Sequence, residues 1–428
     1  MKFTRVFAFM ALAGLAGSAY ATNGYFAHGY GMKAKGMAGA STATHDDAFF
    51  GANNPAAAAF VGNRIDLGVD LFSPRREMSR TGATAVPGSV ESDSDYFLVP
   101  EFGYNRMVNN NLALGVTVYG NGGMNSDYAG GQFDCTAIGG GPGSNALCGM
   151  GSLGVDLMQL IVAPTAAYKI APNHSIGVSP LLGYQRFKAE GLHAFAAIST
   201  DSTGATLTNA GYDNSFGYGV RVGYMGKITP TVTIGAAYAS KMNFEEFDKY
   251  AGLFAEQGDF DIPENYNIGV AWQATPALKL ALDYQRINYS GVDSIANSSQ
   301  QLGCPGTGCL GGNTGIGFGW SDVDVWKLGA EYKYSNALTL RAGYNHGDNP
   351  IQARDVTFNI LAPGVVQDHV TLGFTYTLAS GNEVTMSYMH AFENEVTGTP
   401  NPVYFPVGGT EEIKMYQDAI GIQYSWKM

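Results

Sequence analysis

The sequence predicts an all-β protein, namely a 14-stranded antiparallel transmembrane β-barrel with an N-terminal hatch inside its lumen. The first observation is that six short turns alternate with much longer connections rich in Gly, Asn and Ser, as in outer-membrane barrels. Six hairpins supply twelve strands. One further strand, Arg64 to Phe72, precedes the first hairpin, and another, Ile413 to Trp426, follows the last, which makes fourteen. The turns are Asn109–Asn111, Ala171–Asn173, Thr229–Thr231, Thr275–Ala277, Ser335–Ala337 and Ser380–Asn382.

The second observation is a period of two within the strands. In Val370–Leu378, large apolar residues occupy every second position, with Gly or Thr between them. This pattern predicts one face toward lipid and the other toward the lumen. A soluble β-sandwich also alternates, but an export signal and aromatic strand ends such as Tyr424 and Trp426 favour the membrane barrel.

Residues 1–21 are predicted to be a secretory signal peptide. Lys2 and Arg5 precede an apolar stretch, and Ala19-Tyr20-Ala21 has the A-x-A form of a cleavage site. The apolar stretch is shorter than the roughly 20 residues that a membrane-spanning helix needs. We therefore expect a mature chain that starts at Thr22 and is located in the outer membrane of a Gram-negative cell.

Composition fits a membrane barrel better than a soluble domain. Gly accounts for 58 of 428 residues, and charged residues for only 14%; soluble proteins average about 25% charged residues. The formal net charge of −12 argues against nucleic acid as a partner, because binding to phosphates requires a basic surface.

The four cysteines form two local pairs, each within one long connection. Cys135 and Cys148 are one pair, and Cys304 and Cys309 the other. In an oxidising, exported setting we expect two disulfides. No His lies close enough in sequence to complete a metal site, so neither a metal nor another cofactor is expected.

Residues 22–63, between the signal and the first strand, do not alternate and are rich in Gly and Ala. Small side chains allow a compact segment to pack inside a cylinder. Because a fourteen-stranded barrel is too wide to be filled by its own side chains, we expect this segment to be a hatch in the lumen and residues 64–428 to form the barrel.

Four pieces of the hatch resemble the FadL/TodX family of outer-membrane transporters for long-chain fatty acids and aromatic hydrocarbons. They are Asn23-Gly24-Tyr25-Phe26, Gly36-Met37-Ala38-Gly39-Ala40, Asp46-Asp47-Ala48 and Asn54-Pro55-Ala56, and Phe260–Glu264 is similar to a family segment that opens the eighth strand. The resemblance assigns hatch roles to Gly24, Phe26, Gly36, Gly39, Asp46, Asp47, Asn54, Pro55 and Ala56. The chain departs from the usual aromatic C-terminus, because Lys427 and Met428 follow Trp426.

The resemblance implies that cargo is captured on the third and fourth extracellular loops, moves to a pocket against the hatch and leaves sideways into the membrane. In the fourth loop, Phe247, Tyr250 and Phe254 recur at helical spacing, and Phe195 and Ile198 do so in the third. We expect an exposed apolar face there, which usually marks a ligand surface. Alternatively, these loops cap each other.

The resemblance also implies a lateral gate at a kinked third strand. That strand is predicted from Leu112 to Tyr119, followed by Gly120-Asn121-Gly122-Gly123. Glycine weakens strand pairing and often marks a bulge, so we assign the gate to these four residues. The alternative is that they begin a flexible loop.

Because successive side chains of a strand point to opposite faces, the positions of Arg221, Lys327 and Arg341 place them on the side that faces the lumen. This agrees with the cost of a charge that faces lipid. One of them could bind the carboxylate of a fatty acid; alternatively, they form ion pairs that hold the lumen together.

Two rival functions are less consistent with the sequence. A water-filled porin needs neither a hatch nor apolar loops. An esterase or protease needs a nucleophile in register with His, and G-x-S-x-G is absent. We therefore expect no catalytic residues. The predicted function is uptake of hydrophobic compounds, with long-chain fatty acids first and aromatic hydrocarbons or alkanes as the alternative. Outer-membrane lipid, lipopolysaccharide and the barrel-assembly machinery are the other expected partners of a monomer.

Overall fold

The computed structural model describes residues 22–82, 86–300, 308–402 and 408–428. The predicted signal peptide, residues 1–21, and Cys304 of the second predicted cysteine pair lie outside the described residues. Within those residues, no helix combines the length and hydrophobicity needed to cross a membrane.

In the described part of the chain, fourteen strands form one closed antiparallel barrel, and four short strands lie outside this ring. The last barrel strand, β18 (Thr410–Lys427), pairs with the first, β1 (Arg64–Thr81), with Arg64 opposite Lys427 and Thr81 opposite Thr410. The barrel strands are β1 Arg64–Thr81, β3 Phe97–Met107, β4 Leu112–Tyr128, β7 Leu153–Ala171, β8 His174–Glu190, β9 Asp213–Lys227, β10 Val232–Ala239, β12 Asn265–Gln273, β13 Leu278–Ile287, β14 Val323–Lys333, β15 Leu338–Gly347, β16 Asp368–Thr377, β17 Glu383–Gly398 and β18 Thr410–Lys427. The others are β2 Gly88–Glu91, β5 Phe133–Asp134, β6 Pro142–Ser144 and β11 Asn243–Phe244.

The predicted fold class is confirmed, but several strand ends extend farther than predicted. β1 continues nine residues beyond Phe72 to Thr81, and β18 begins at Thr410 rather than Ile413. Inward and outward positions alternate through these extensions, with Arg76 and Arg80 buried on the inner side. Charged residues in these extensions, such as Arg76 and Arg80, hid the alternation of apolar and polar residues in the sequence, because they face a packed interior instead of solvent.

The helices within the described residues are short. They are α1 Met32–Lys35, α2 Ala58–Val61, α3 Ala255–Gly258 and α4 Asp293–Ala296. Single 3₁₀ turns lie at Pro55–Ala57, Thr136–Ile138, His193–Ile198, Asp248–Tyr250, Tyr289–Gly291, Ala353–Asp355 and Phe358–Ile360. Asn54 begins the first of these turns, and its side chain accepts a hydrogen bond from the amide of Ala56, which is a standard N-cap.

Residues 22–62 occupy the lumen. Their backbone amides donate to inward-facing side chains on opposite parts of the wall: Met32 to Gln423 of β18, Ala38 to Thr371 of β16, and Gly51 to Thr117 of β4. Only a segment surrounded by the sheet can reach all of these strands.

The long connection between β4 and β7 contains the Cys135–Cys148 disulfide, with the two Cα atoms 5.7 Å apart. It crosslinks residues that are 13 positions apart in the chain.

Candidate functional site

The hatch has two parts with different attachments, which we call the base, residues 31–62, and the tip, residues 22–30. Buried ion pairs hold the base. Lys35 Nζ lies 2.6 Å from Glu101 and 3.0 Å from Asp70, and all three side chains are at most 2% exposed. Lys33 Nζ lies 2.7 Å from Glu383 on β17.

Backbone hydrogen bonds add to these ion pairs. The amides of Ser41 and Thr42 both donate to one carboxylate oxygen of Asp283, at 2.7 and 2.8 Å. The side-chain amide of Asn54 donates to the carbonyls of Thr42 and Tyr224. Asp46 bridges to Lys279 at 2.9 Å, and burial beside Asp66 raises the pKa of Asp47 to about 7. Charged and polar contacts thus fix the base to strands on several sides.

The tip meets the wall at β4. Phe26 forms a β-bridge with Gly122, and the amide of Ala27 donates to the Asn121 carbonyl at 3.3 Å. A Cβ atom at Gly122 would lie 1.8 Å from the Tyr25 carbonyl oxygen, so only glycine permits this approach. Gly24 has a positive φ of 63°, which glycine adopts without strain.

The predicted end of the third strand at Tyr119 is wrong. β4 continues through Gly120–Gly123 to Tyr128, and the register to β7 shifts between Gly120 and Gly122, leaving Asn121 as the extra residue of a bulge. The alternative reading of these residues as the start of a flexible loop is therefore also wrong. The four residues assigned to the gate lie at this bulge, beside the hatch tip.

The expected exposure of the capture residues is also wrong. Phe195, Phe247, Tyr250 and Phe254 are buried, and Ile198 is half-buried. Phe195 lies in a 3₁₀ turn, whereas Phe247 and Phe254 flank two short turns instead of lying on one continuous helix. The helical spacing marked apolar residues correctly, but the loops fold over the barrel mouth and turn those residues inward.

These loop residues begin a continuous column of aromatic rings that reaches the hatch tip. Ring centroids of Phe187 and Phe254 are 4.7 Å apart, and those of Phe254 and Phe260 are 4.8 Å apart. From Phe260 the column passes to Tyr25 at 6.2 Å, then to Tyr289 at 5.5 Å and Trp320 at 5.1 Å from Tyr289. These spacings are typical of aromatic pairs that attract each other.

A cavity of about 20 Å³ lies at the lower end of the column, against Tyr25, Trp320 and Gly123. Holding one water molecule requires about 10–15 Å³. The cavity therefore has room for a water-sized group but not for a hydrocarbon, and cargo can enter it only if the tip or the loops move.

The three predicted lumenal cations point inward, and each bonds to the protein. Arg341 pairs with Glu331 at 2.6 Å and donates to Thr375. Arg221 donates to the carbonyls of Gly51 and Ala52 in the hatch. Lys327 donates to the His28 carbonyl at 3.1 Å.

Sequence reasoning missed a pair of buried histidines, His28 in the tip and His369 on β16. The rings of His28 and His369 stack 6.3 Å apart at an angle of 18°, and no ring nitrogen of either has a hydrogen-bond partner among the described residues. Carbonyls of Lys35, Asn345 and Gln367 lie near the rings without hydrogen-bond geometry. Burial lowers the pKa of His28 well below its usual value. Because His28 and His369 are far apart in the sequence, no local sequence pattern indicated that their rings are in contact.

A family model described as outer membrane protein transport protein (OMPP1/FadL/TodX) matches residues 11–424. The chain belongs to the FadL/TodX family. Its members are outer-membrane transport channels for hydrophobic compounds, which places this protein in the outer membrane as a transporter of that class.

Solved structures of low sequence identity share the fold. The toluene transporter TodX of Pseudomonas putida has a TM-score of 0.67 at 18% identity, and a FadL homologue from Pseudomonas aeruginosa has 0.70 at 16%. The toluene transporter TbuX of Ralstonia pickettii has 0.65 at 17%. Each comparison covers 94% of this chain and 99% of the other. None of the curated protein sequences compared with this chain matches it.

Proposed function

We propose that this protein takes up small neutral aromatic hydrocarbons, which pass along the aromatic column to the hatch tip and leave sideways at the β4 bulge. The observation that carries the proposal is the column itself. Its five ring contacts, from Phe187 to Trp320, join the loops over the mouth to the cavity beside the bulge. Aromatic faces and edges provide favourable contacts for a planar cargo at every step.

Electrostatics favour a neutral cargo at the entrance. The segment from Lys241 to Glu264, which contains the upper part of the column, has seven acidic residues and only two lysines. The acidic residues are Glu245, Glu246, Asp248, Glu256, Asp259, Asp261 and Glu264. A carboxylate would be repelled there within the Debye length of about 8 Å, whereas a hydrocarbon would not. The toluene transporters that share the fold are consistent with this choice.

Uptake of labelled toluene by cells that express the full chain tests the proposal. Phe254→Ser should reduce uptake at low toluene concentration several-fold, because Phe254 contacts both Phe187 and Phe260. The control is Phe392→Ser, on the outer face at 47% exposure, which should leave uptake unchanged. Heat-modifiable gel mobility would verify that both variants form barrels. Equal uptake by cells with and without the protein would refute the proposed cargo.

Long-chain fatty acids, the first expectation from the sequence, are the second candidate. Lys327 favours them, because no carboxylate lies within 4 Å of its ammonium group among the described residues. Lys327→Met should then weaken binding of a fatty acid more than binding of its methyl ester, since an unpaired carboxylate in the lumen would be costly. Equal losses for acid and ester would remove Lys327 as the headgroup site.

A further inference from the structure

The periplasmic mouth of the barrel differs in charge from the rest of the protein. The chain has a formal net charge of −12, whereas none of its six short turns contains a charged residue. Short turns mark the periplasmic end of an outer-membrane barrel, so the charges at that end come from the strand ends and the hatch. Five of them, which we call the basic rim, are lysines within three residues of a strand end: Lys169, Lys227, Lys279, Lys333 and Lys427.

The basic rim points into the mouth and not toward lipid. All five lysines occupy inward-facing positions, because they alternate with lipid-facing residues along their strands. Lys169 Nζ lies 5.1 Å from the centre of the Phe60 ring in the hatch, and Lys279 Nζ lies 2.9 Å from a hatch carboxylate. Lys227 lines an open cavity of about 360 Å³ together with hatch residues 43–46. A ligand of the rim therefore approaches from the periplasm and not from the membrane.

The acids at this end are largely buried and neutralise only part of the basic rim. In the described part of the chain they are Asp46 and Asp47 of the hatch and Asp66, Glu331 and Glu383 of the wall, and none of them is exposed. Lys279 lies 2.9 Å from each of two of these acids, and Lys427 pairs with a third. Lys227 and Lys333 are exposed and have no ion pair within 4 Å among the described residues. The mouth thus presents ammonium groups without counter-ions to the periplasm.

Three lysines of the basic rim lie on one arc of the mouth. Lys227 ends β9, Lys279 lies near the start of β13 and Lys333 ends β14. Strands β10 and β12 separate β9 from β13, so Lys227 and Lys279 are three strand spacings apart, about 14 Å. In an extended peptide, side chains four residues apart point the same way and lie about 13 Å from each other. An extended segment with carboxylates at that interval matches the span of the arc.

The cavity between these lysines suits a peptide backbone. It reaches from Lys227 to Lys279, and its lining includes the polar side chains of Thr44, Thr231, Thr233 and Gln273. Hydroxyl and amide groups can both donate to and accept from backbone amides. The cavity therefore offers hydrogen bonds between the points at which the charges would pair.

We propose that the periplasmic mouth is a docking site for an acidic, extended peptide segment of a periplasmic protein, whose carboxylates pair with Lys227, Lys279 and Lys333. Charge complementarity determines the choice of partner, because it steers association and excludes basic partners. A partner carboxylate at Lys279 would also compete with Asp46 of the hatch. Docking would therefore loosen the hatch at residues 43–46. The inference goes beyond the proposed function and does not depend on the cargo.

Binding of fluorescein-labelled hexaglutamate to the purified full-length mature chain in phosphatidylcholine nanodiscs tests the inference. We expect hexaglutamate to bind and uncharged hexaglutamine not to bind, with an affinity that falls as salt rises, because salt screens exposed charges. Lys227→Gln and Lys333→Gln should each weaken binding about two- to fivefold, the usual effect of losing one exposed ion pair. Heat-modifiable gel mobility would verify that the variants form barrels.

Two further substitutions serve as matched controls. Arg106→Gln removes an exposed cation on the outward side of β3 at the same end, and Lys249→Gln removes one on the extracellular side. Both variants should bind hexaglutamate as the parent does. Undiminished binding in the Lys227→Gln/Lys333→Gln double variant would overturn the inference. A loss in Arg106→Gln alone would also overturn it, because the peptide would then bind at the lipid-facing side.

Hydrogen exchange tests the link to the hatch. Hexaglutamate should speed exchange in residues 41–47 of the parent, because it competes with Asp46 for Lys279, and it should have no such effect in Lys279→Gln. Unchanged exchange in the parent with bound hexaglutamate would refute this link. Toluene uptake involves neither measurement. Failure of the toluene proposal would leave the docking site standing, and a lack of hexaglutamate binding would leave the toluene proposal standing.

Discussion

The base and the tip of the hatch lie in the same lumen but are held by opposite kinds of contact. Fully buried ion pairs fix the base, with Lys35 between Asp70 and Glu101. The tip is held by aromatic packing, by a bridge to the β4 bulge and by two hydrogen bonds to Tyr289. It also contains buried polar groups without partners among the described residues, at Asn23 and His28.

This difference indicates which part can move. Separating the base from the wall would leave several buried charges unpaired, at a cost of about 3–5 kcal/mol for each broken pair. Withdrawing the tip breaks no ion pair among the described residues. It breaks aromatic contacts and hydrogen bonds, one of them from the Lys327 ammonium group to the His28 carbonyl, and it exposes polar groups that gain hydrogen bonds with water. Since the tip closes the cavity at the bulge, we expect it to open while the base stays fixed.

The largest expected effect is on conductance. Deleting residues 22–62 should turn a nearly closed barrel into an open pore in planar bilayers, because the hatch fills a lumen too wide for the wall's own side chains. Deleting only residues 22–30 should raise conductance much less, since the base remains. If the intact protein already conducts like a porin and neither deletion changes this, the hatch does not block the lumen.

Lys35→Met should loosen the base strongly. It leaves Asp70 and Glu101 buried without their lysine, a loss of about 3–5 kcal/mol. Hydrogen exchange of residues 31–40 would show this as faster exchange. Lys33→Met is the matched control and should have a smaller effect, because Glu383 keeps Arg64 at 3.4 Å and Lys427 as partners. Equal effects of the two substitutions would contradict the assignment of the main anchor to Lys35.

Acidification should loosen the tip. Burial, His369 and the cations Lys35 and Lys327 all lower the pKa of His28, so the seated tip favours the neutral ring. The contribution of the neutral ring to the stability of the seated tip is complete above the ordinary His pKa of about 6.5 and is lost as the pH falls below that value. The equilibrium constant between the seated and the withdrawn tip then changes by at most about tenfold per pH unit. Exchange of residues 22–30, corrected for intrinsic rates, should rise accordingly.

His28→Phe should remove this pH dependence, since Phe retains the ring packing and cannot be protonated. The control is His346→Phe, because His346 lies half-exposed on the outer face. The same acid response in the parent and in His28→Phe would assign the response to other groups, and His369, which stacks on His28, is the first of them to examine.

The smallest predicted effect comes from one hydroxyl. Tyr289 donates to the Asn23 carbonyl at 2.6 Å and accepts from the Tyr25 amide at 3.1 Å. Tyr289→Phe should weaken the tip by about 0.5–1.5 kcal/mol per hydrogen bond. Exchange should increase in residues 22–30 and not in residues 31–40; an equal increase in both would show that tip and base move together.

The sequence by itself determined the barrel, its number of strands and the segment that fills it. A two-residue period and six short turns are local signals, and Val370–Leu378 shows its lipid-facing side without any knowledge of its neighbours. The family motifs lie within short stretches of chain for the same reason.

Only the tertiary structure decided how the interior is connected. Tyr25 meets Phe260 and Tyr289, and Lys35 meets Asp70 and Glu101, across large distances in sequence. Whether an inward cation has a counter-ion depends on the strand opposite, so the alternation of side chains along β1 could not show that Arg80 pairs with Glu411 of β18. The capture residues were recognised as apolar but placed outside, because burial depends on where a long loop folds and not on its periodicity.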